Sequence, residues 1–206
     1  MKTMANILSG LFHPLLMATY GMGLAFMSTY LVIYPLPLKL WILSGVFLMT
    51  AALPALFIYL MFQLKADADW SLDQRRRRTL PYLVYIGGSV ASALFLYKML
   101  MPFWISAMFL GVAIAMLLAL CINFFWKISA HMIGLGGLLG GMMGVARMYF
   151  MNPYIGFMIV LLVGGLVGSA RLILQKHTCG QLLAGYGLGF ISIYISSLLS
   201  YFYFFI

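Results

Sequence analysis

Phe103-Trp-Ile-Ser-Ala-Met-Phe-Leu-Gly-Val-Ala-Ile-Ala-Met-Leu-Leu-Ala-Leu-Cys-Ile-Asn-Phe-Phe-Trp126 contains 24 residues and no charge. Coiled as an α-helix at 1.5 Å per residue, the segment is about 36 Å long, enough to cross a hydrocarbon core about 30 Å thick. Its apolar residues surround the helix rather than forming one stripe, so water cannot be the solvent on its outer side. A bilayer offers backbone groups no water to bond. A spanning segment must therefore satisfy them internally, which a helix does. The ~10-residue segments of alternating polarity that a membrane β-barrel needs are absent from the sequence.

The same pattern recurs outward in both directions. Apolar spans are read at Pro14–Tyr34, Leu38–Leu64, Tyr82–Met99, Phe103–Trp126, His131–Tyr149, Pro153–Leu174 and Gln181–Ile206. Pro35-Leu-Pro37, Pro81, Pro102 and Asn152-Pro153 supply the breaks. Pro54 is expected to kink the second span. The composition agrees, with 65% hydrophobic and 7% charged residues and a mean hydropathy of +1.08. Soluble domains carry about 25% charged residues. The expectation is an all-α, multi-pass transmembrane bundle of about six to seven spanning helices, folded as one integral membrane domain over residues 1–206.

Eight of the fifteen charged residues fall between Lys65 and Arg78, in the loop 65–81 that joins the second and third spans. All three acids, Asp67, Asp69 and Asp73, are there. Seven crossings place Lys2, Lys65, Arg75 to Arg78, Lys127, Arg171 and Lys176 on one face and Lys39, Lys98 and Arg147 on the other. Nine positive charges against three make the first face, with the N-terminus, cytoplasmic by the positive-inside rule. In a bacterial cell the host would be the cytoplasmic membrane. The net charge of +9 fits anionic lipid headgroups rather than nucleic acid. Cys121 and Cys179 are too few for a disulfide framework. Met1 to Gly10 lacks the charged start and cleavage site of a removable signal. Gly136, Gly140 and Gly144 form one stripe, suited to close helix packing within the chain or to a homodimer seam.

Titratable groups at membrane depth are costly and are candidates for function. On this topology His13, His131 and His177 share the nine-positive face with Lys127, Arg171, Lys176 and the basic loop. His13-Pro14 reads first as a helix start. The other two histidines sit in more informative contexts. Ser169-Ala-Arg171 is followed by five residues, then His177, three residues, and Gln181. Ser129-Ala-His131 opens the fifth span. An in-line displacement at phosphorus needs a neutral imidazole, a proton donor beyond the leaving oxygen, and fixed positive charge for the equatorial oxygens. Arg offers two of those oxygens a planar fork.

The order and spacing of these pieces resemble the type 2 phosphatidic acid phosphatase (PAP2) superfamily, over roughly the half of the chain from Lys65 to Gly185. The family pattern is a Lys/Arg-rich first motif, a Pro-Ser-Gly-His second motif, and a third motif of Ser-Arg, five residues, His, three residues, Asp. The resemblance implies a helical bundle that hydrolyses a lipid phosphate or polyprenyl phosphate with neither metal nor cofactor. It makes His177 the nucleophile that forms a phosphohistidine, His131 the proton donor and Arg171 a phosphate ligand. Ser129, Lys127, Arg75, Arg76, Arg77 and Arg78 would support the phosphoryl group. The chain departs from the pattern at Ile128 and Ala130, where Pro and Gly stand in the family, and at Gln181, which takes the place of the orienting Asp. Turnover is then slow, or Asp69 or Asp73 substitutes, or the site binds without cleaving. A lipid-phosphate binder, transporter or flippase and a structural membrane subunit therefore remain open beside the phosphatase.

Overall fold

The computed structural model describes residues 1–64, 78–150 and 152–205. Among them all regular structure is helical: α1 (Lys2–Leu11), α2 (Met17–Ser28), α3 (Leu36–Phe47), α4 (Leu53–Leu64), α5 (Thr79–Lys98), α6 (Phe103–Asn123), α7 (Ala130–Tyr149), α8 (Tyr154–Ile173) and α9 (Cys179–Phe205). Six helical stretches are long and apolar enough to cross a membrane, as an integral multi-pass protein requires. α7 is also 20 residues long, but six glycines, Arg147 and His131 dilute its apolar character. Lys65, the three aspartates and Arg75, Arg76 and Arg77 lie outside the described residues.

Two local features depart from the expected spans. A ten-residue helix, α1, precedes the expected start of the first span at Pro14 and is part of the long stretch Lys2–Ser28; it is the most amphipathic of the described helices. Ala5 and Ser9 are its buried face, and Leu8 and Phe12 pack with Met17, Met132, Val167 and Leu182. Just ahead of Pro54 the structure has a π-helical turn over Leu48–Ala52, which joins α3 to α4 and widens the coil. Met49 presents its carbonyl to Gly88 of α5, where any Cβ would collide with it.

α7 and α9 form the tightest pair. A Cβ at Gly136 would strike the Tyr186 carbonyl, one at Gly140 the Phe190 carbonyl, and one at Gly189 the Ile133 carbonyl. The Gly136/Gly140/Gly144 stripe is thus occupied by α9 of the same chain. Without a hydrophobic drive between helices in lipid, such close backbone approach supplies the dispersion contacts that hold them together. The contact also sets the start of α7 against the start of α9, and a Cβ at Gly185 would lie 2.8 Å from the Ser129 carbonyl oxygen.

Candidate active site

The last turn of α8 carries Arg171 and closes with a Schellman cap. Lys176 N–H donates to the Arg171 carbonyl at 3.1 Å, Gln175 N–H donates to Leu172 O at 2.9 Å, and Gln175 sits in the left-handed region at φ 52°. The reversal brings Lys176 and His177 back over the end of the helix they have just left. The next helix fixes the ring. Thr178 is the residue before α9, and its N–H donates to Gln181 Oε1 at 3.2 Å, the backward half of a capping box. The same oxygen lies 3.1 Å from His177 Nδ1. A backbone N–H must find an acceptor, so the atom is the amide oxygen, and His177 Nδ1 must carry the hydrogen. The lone pair is left on Nε2. Gln181 therefore selects the tautomer that a nucleophilic imidazole needs, although it brings no charge.

His177 is buried. Burial is the main cause that pushes its imidazole down to about 4; the Gln181 hydrogen bond opposes this, and the Arg78, Arg171 and Lys127 charges reinforce it. The ring is neutral at neutral pH. Arg171 lies close enough to His13, His131 and His177 to act electrostatically on all three rings. His131 Nε2 is 3.1 Å from the Ser9 carbonyl, so Nε2 bears a hydrogen and Nδ1 is the nitrogen left for proton exchange. The His13 ring meets His131 edge-on, with centroids 5.7 Å apart. His13 Nδ1 accepts a long hydrogen bond, 3.4 Å, from Leu15 N–H at the start of the short turn Pro14–Leu16, which leaves the ring hydrogen on Nε2.

His13, His131, His177, Arg78, Arg171 and Lys176 all line one cavity of about 420 Å³, a size suited to a small-molecule ligand. Arg78 is buried at the start of α5 and donates from Nη1 to the Ile128 carbonyl at 3.2 Å, which ties the start of α5 to the α6–α7 turn. Ser129 is fully buried beside the cavity and does not line it; its Oγ has no hydrogen-bond partner among the described residues. Lys127 also stands back from the wall and acts on His177 through its charge.

Of the residues singled out from the sequence, His131, His177, Arg171 and Arg78 converge on the cavity, and Gln181 holds His177. Arg75, Arg76 and Arg77 lie outside the described residues. His13, Lys176 and the Ser9 carbonyl belong to the site without having been assigned to it. The Thr178-x-x-Gln181 capping-box spacing was a readable signal for the His177 clamp. The apolar spacing Met4, Ile7, Leu8, Leu11 was one for α1, whereas nothing in the sequence marked a backbone carbonyl as the partner of His131.

No family model, curated protein or solved structure matches the chain.

Proposed function

We propose that this membrane protein is a PAP2-like phosphatase that hydrolyses a lipid phosphate through a phosphohistidine. One observation carries the reading: two imidazoles of complementary protonation pattern and two guanidinium groups line the same cavity at one end of the bundle. His177 Nε2 attacks phosphorus as the bond to the lipid oxygen breaks. Arg171 and Arg78 hold the equatorial oxygens. The bound phosphate dianion favours the imidazolium form of His131, which releases its Nδ1 proton to the leaving alkoxide. Water then attacks phosphorus and passes a proton to His131 Nδ1 as the bond to His177 Nε2 breaks, and inorganic phosphate departs.

The direct test is phosphate release from purified protein with mixed long-chain lipid phosphates. His177→Ala should lower the rate by about ten-thousandfold or more, the scale of losing a nucleophile that acts as part of a unit, and His131→Ala by about a thousandfold, within the range of general acid catalysis. Lys39→Ala, at a side chain whose Nζ donates to Val32 O and which does not line the cavity, should leave it unchanged. Equal indifference to all three substitutions sinks the phosphatase. A second reading, a lipid-phosphate binder or transporter, is favoured by the neutrality of Gln181: an amide orients His177 but cannot stabilise the cation that attack creates. Vanadate bound at Arg171 with no phosphate released would select it.

A further inference from the structure

The cavity does not end at the imidazoles. It continues between α2, α6 and α7 to Trp104 at the start of α6, Ala146 in the last turn of α7 and Pro153 at the cap of α8. Along α7 its wall extends from Ala130 to Ala146, about 24 Å at 1.5 Å per residue. That is most of the thickness of a hydrocarbon core about 30 Å thick. All of its formal charge sits at one end.

Small residues on facing helices line the slot, and neighbouring side chains already fill part of it: Leu138 stands against Gly21, Met17 against Gly134 and Ile193 against Gly137. Ala18, Gly21 and Ala25 line it from α2, and Gly134, Gly137 and Gly141 from α7, each set at the i, i+3, i+7 spacing of a single helix face. An aromatic group closes the far end. Trp104 Nε1 donates to the Tyr30 hydroxyl at 3.4 Å, and Tyr149 meets Trp104 and Tyr30 edge-on with centroids 6.2 and 5.4 Å away.

We infer that the hydrocarbon chain of the lipid phosphate is drawn into the bundle along this crevice, with the Trp104 end limiting its length. The occupant is defined by continuity: a cationic, imidazole-lined head joins without a break to an apolar slot of membrane depth, and a phosphate monoester of a long-chain alcohol has that same polarity profile. The inference rests on the proposed phosphate site for its head only, and it assigns chain-length selectivity to Gly141, Ala25 and Trp104.

The test reads chain position independently of hydrolysis. Trp104 is made the sole fluorophore by Trp41→Phe, Trp70→Phe and Trp126→Phe. The protein in phosphatidylcholine vesicles is titrated with tetradecyl phosphate brominated at the chain end. Expected is saturable quenching of Trp104, reversed by unbrominated tetradecyl phosphate. Gly141→Leu should cut it severalfold, and so should Ala25→Leu from the opposite wall. Gly141→Ala should retain it, because a Cβ there meets Ile193 Cγ2 and Met108 Sδ only at 3.5 and 3.8 Å. Two results would overturn the inference: quenching no greater than from an equal fraction of brominated phosphatidylcholine, or quenching undiminished in both leucine variants. Saturable quenching without phosphate release would sink the phosphatase and leave the crevice standing; release without quenching would do the reverse.

Discussion

Gln181→Glu places a carboxylate where an isosteric amide now accepts from His177 Nδ1 at 3.1 Å and from Thr178 N–H at 3.2 Å. Both hydrogen bonds survive, so the perturbation is one negative charge. Two unit charges about 4 Å apart interact by roughly 4 kcal/mol at an effective dielectric of about 20. His177 is buried but sits in the loop between α8 and α9, and nearby solvent trims this to about two-thirds, roughly 2.7 kcal/mol or about two pKa units. The ring, now pushed down to about 4, should rise toward about 6. The sign follows directly: a raised pKa favours the cation, so the neutral nucleophile is lost at a higher pH than before. The phosphoimidazolium formed on attack also gains. If about half of its charge has developed at the transition state, the barrier falls by roughly 1.4 kcal/mol, and the rate rises about tenfold. Phosphate release measured from acid to neutral pH should therefore give crossing profiles. Near neutral pH the variant is faster, while its acid limb begins about two units earlier than that of the parent. An unmoved acid limb, or a variant slower at neutral pH, would refute the assignment of Gln181 as the partner of a nucleophilic His177.

Gly189→Val should destabilise the protein in detergent by about 3 kcal/mol or more, because its side chain must enter the Ile133 carbonyl across a backbone contact; Gly187→Val, which meets nothing within 4 Å, should unfold like the parent in the same thermal scan. Gln175→Gly removes a non-glycine residue from the left-handed region and should stabilise by about 1 kcal/mol, read as a rise in Tm of a few degrees. Arg78→Lys keeps the charge but loses the planar fork, and vanadate competition should show about tenfold weaker anion binding.

The bilayer architecture was legible because it rests on span length and composition, which are one-dimensional properties. Spans three to seven begin and end close to where proline and polar breaks put them. α1 was missed because ten residues of amphipathic pattern are too few to cross a membrane, and its partner, α8, lies more than a hundred residues downstream. The π turn ahead of Pro54 depends on how α3 and α4 pack against α5, so the proline alone announced only a bend. Spacing brought out His131, His177, Arg171 and Gln181, since the pattern around each is local. The same spacing treated Arg75 to Arg78 alike; of the four, Arg78 alone lies among the described residues, where it is buried against the Ile128 carbonyl. His13 looked like a helix start and is one; that role does not compete with facing His131 across the cavity. The chain crevice had no linear signature, because its two small-residue faces lie on helices distant in sequence.

The most direct test of the central chemistry is to trap the covalent intermediate. Protein turning over a radiolabelled long-chain alkyl phosphate is quenched in alkali, where phosphohistidine survives, and the label is mapped. The Gln181 hydrogen bond reserves Nδ1 as a donor, so the label should fall on Nε2 of His177 and vanish in His177→Ala. Label on Nδ1, on His131 or on no histidine at all would contradict it.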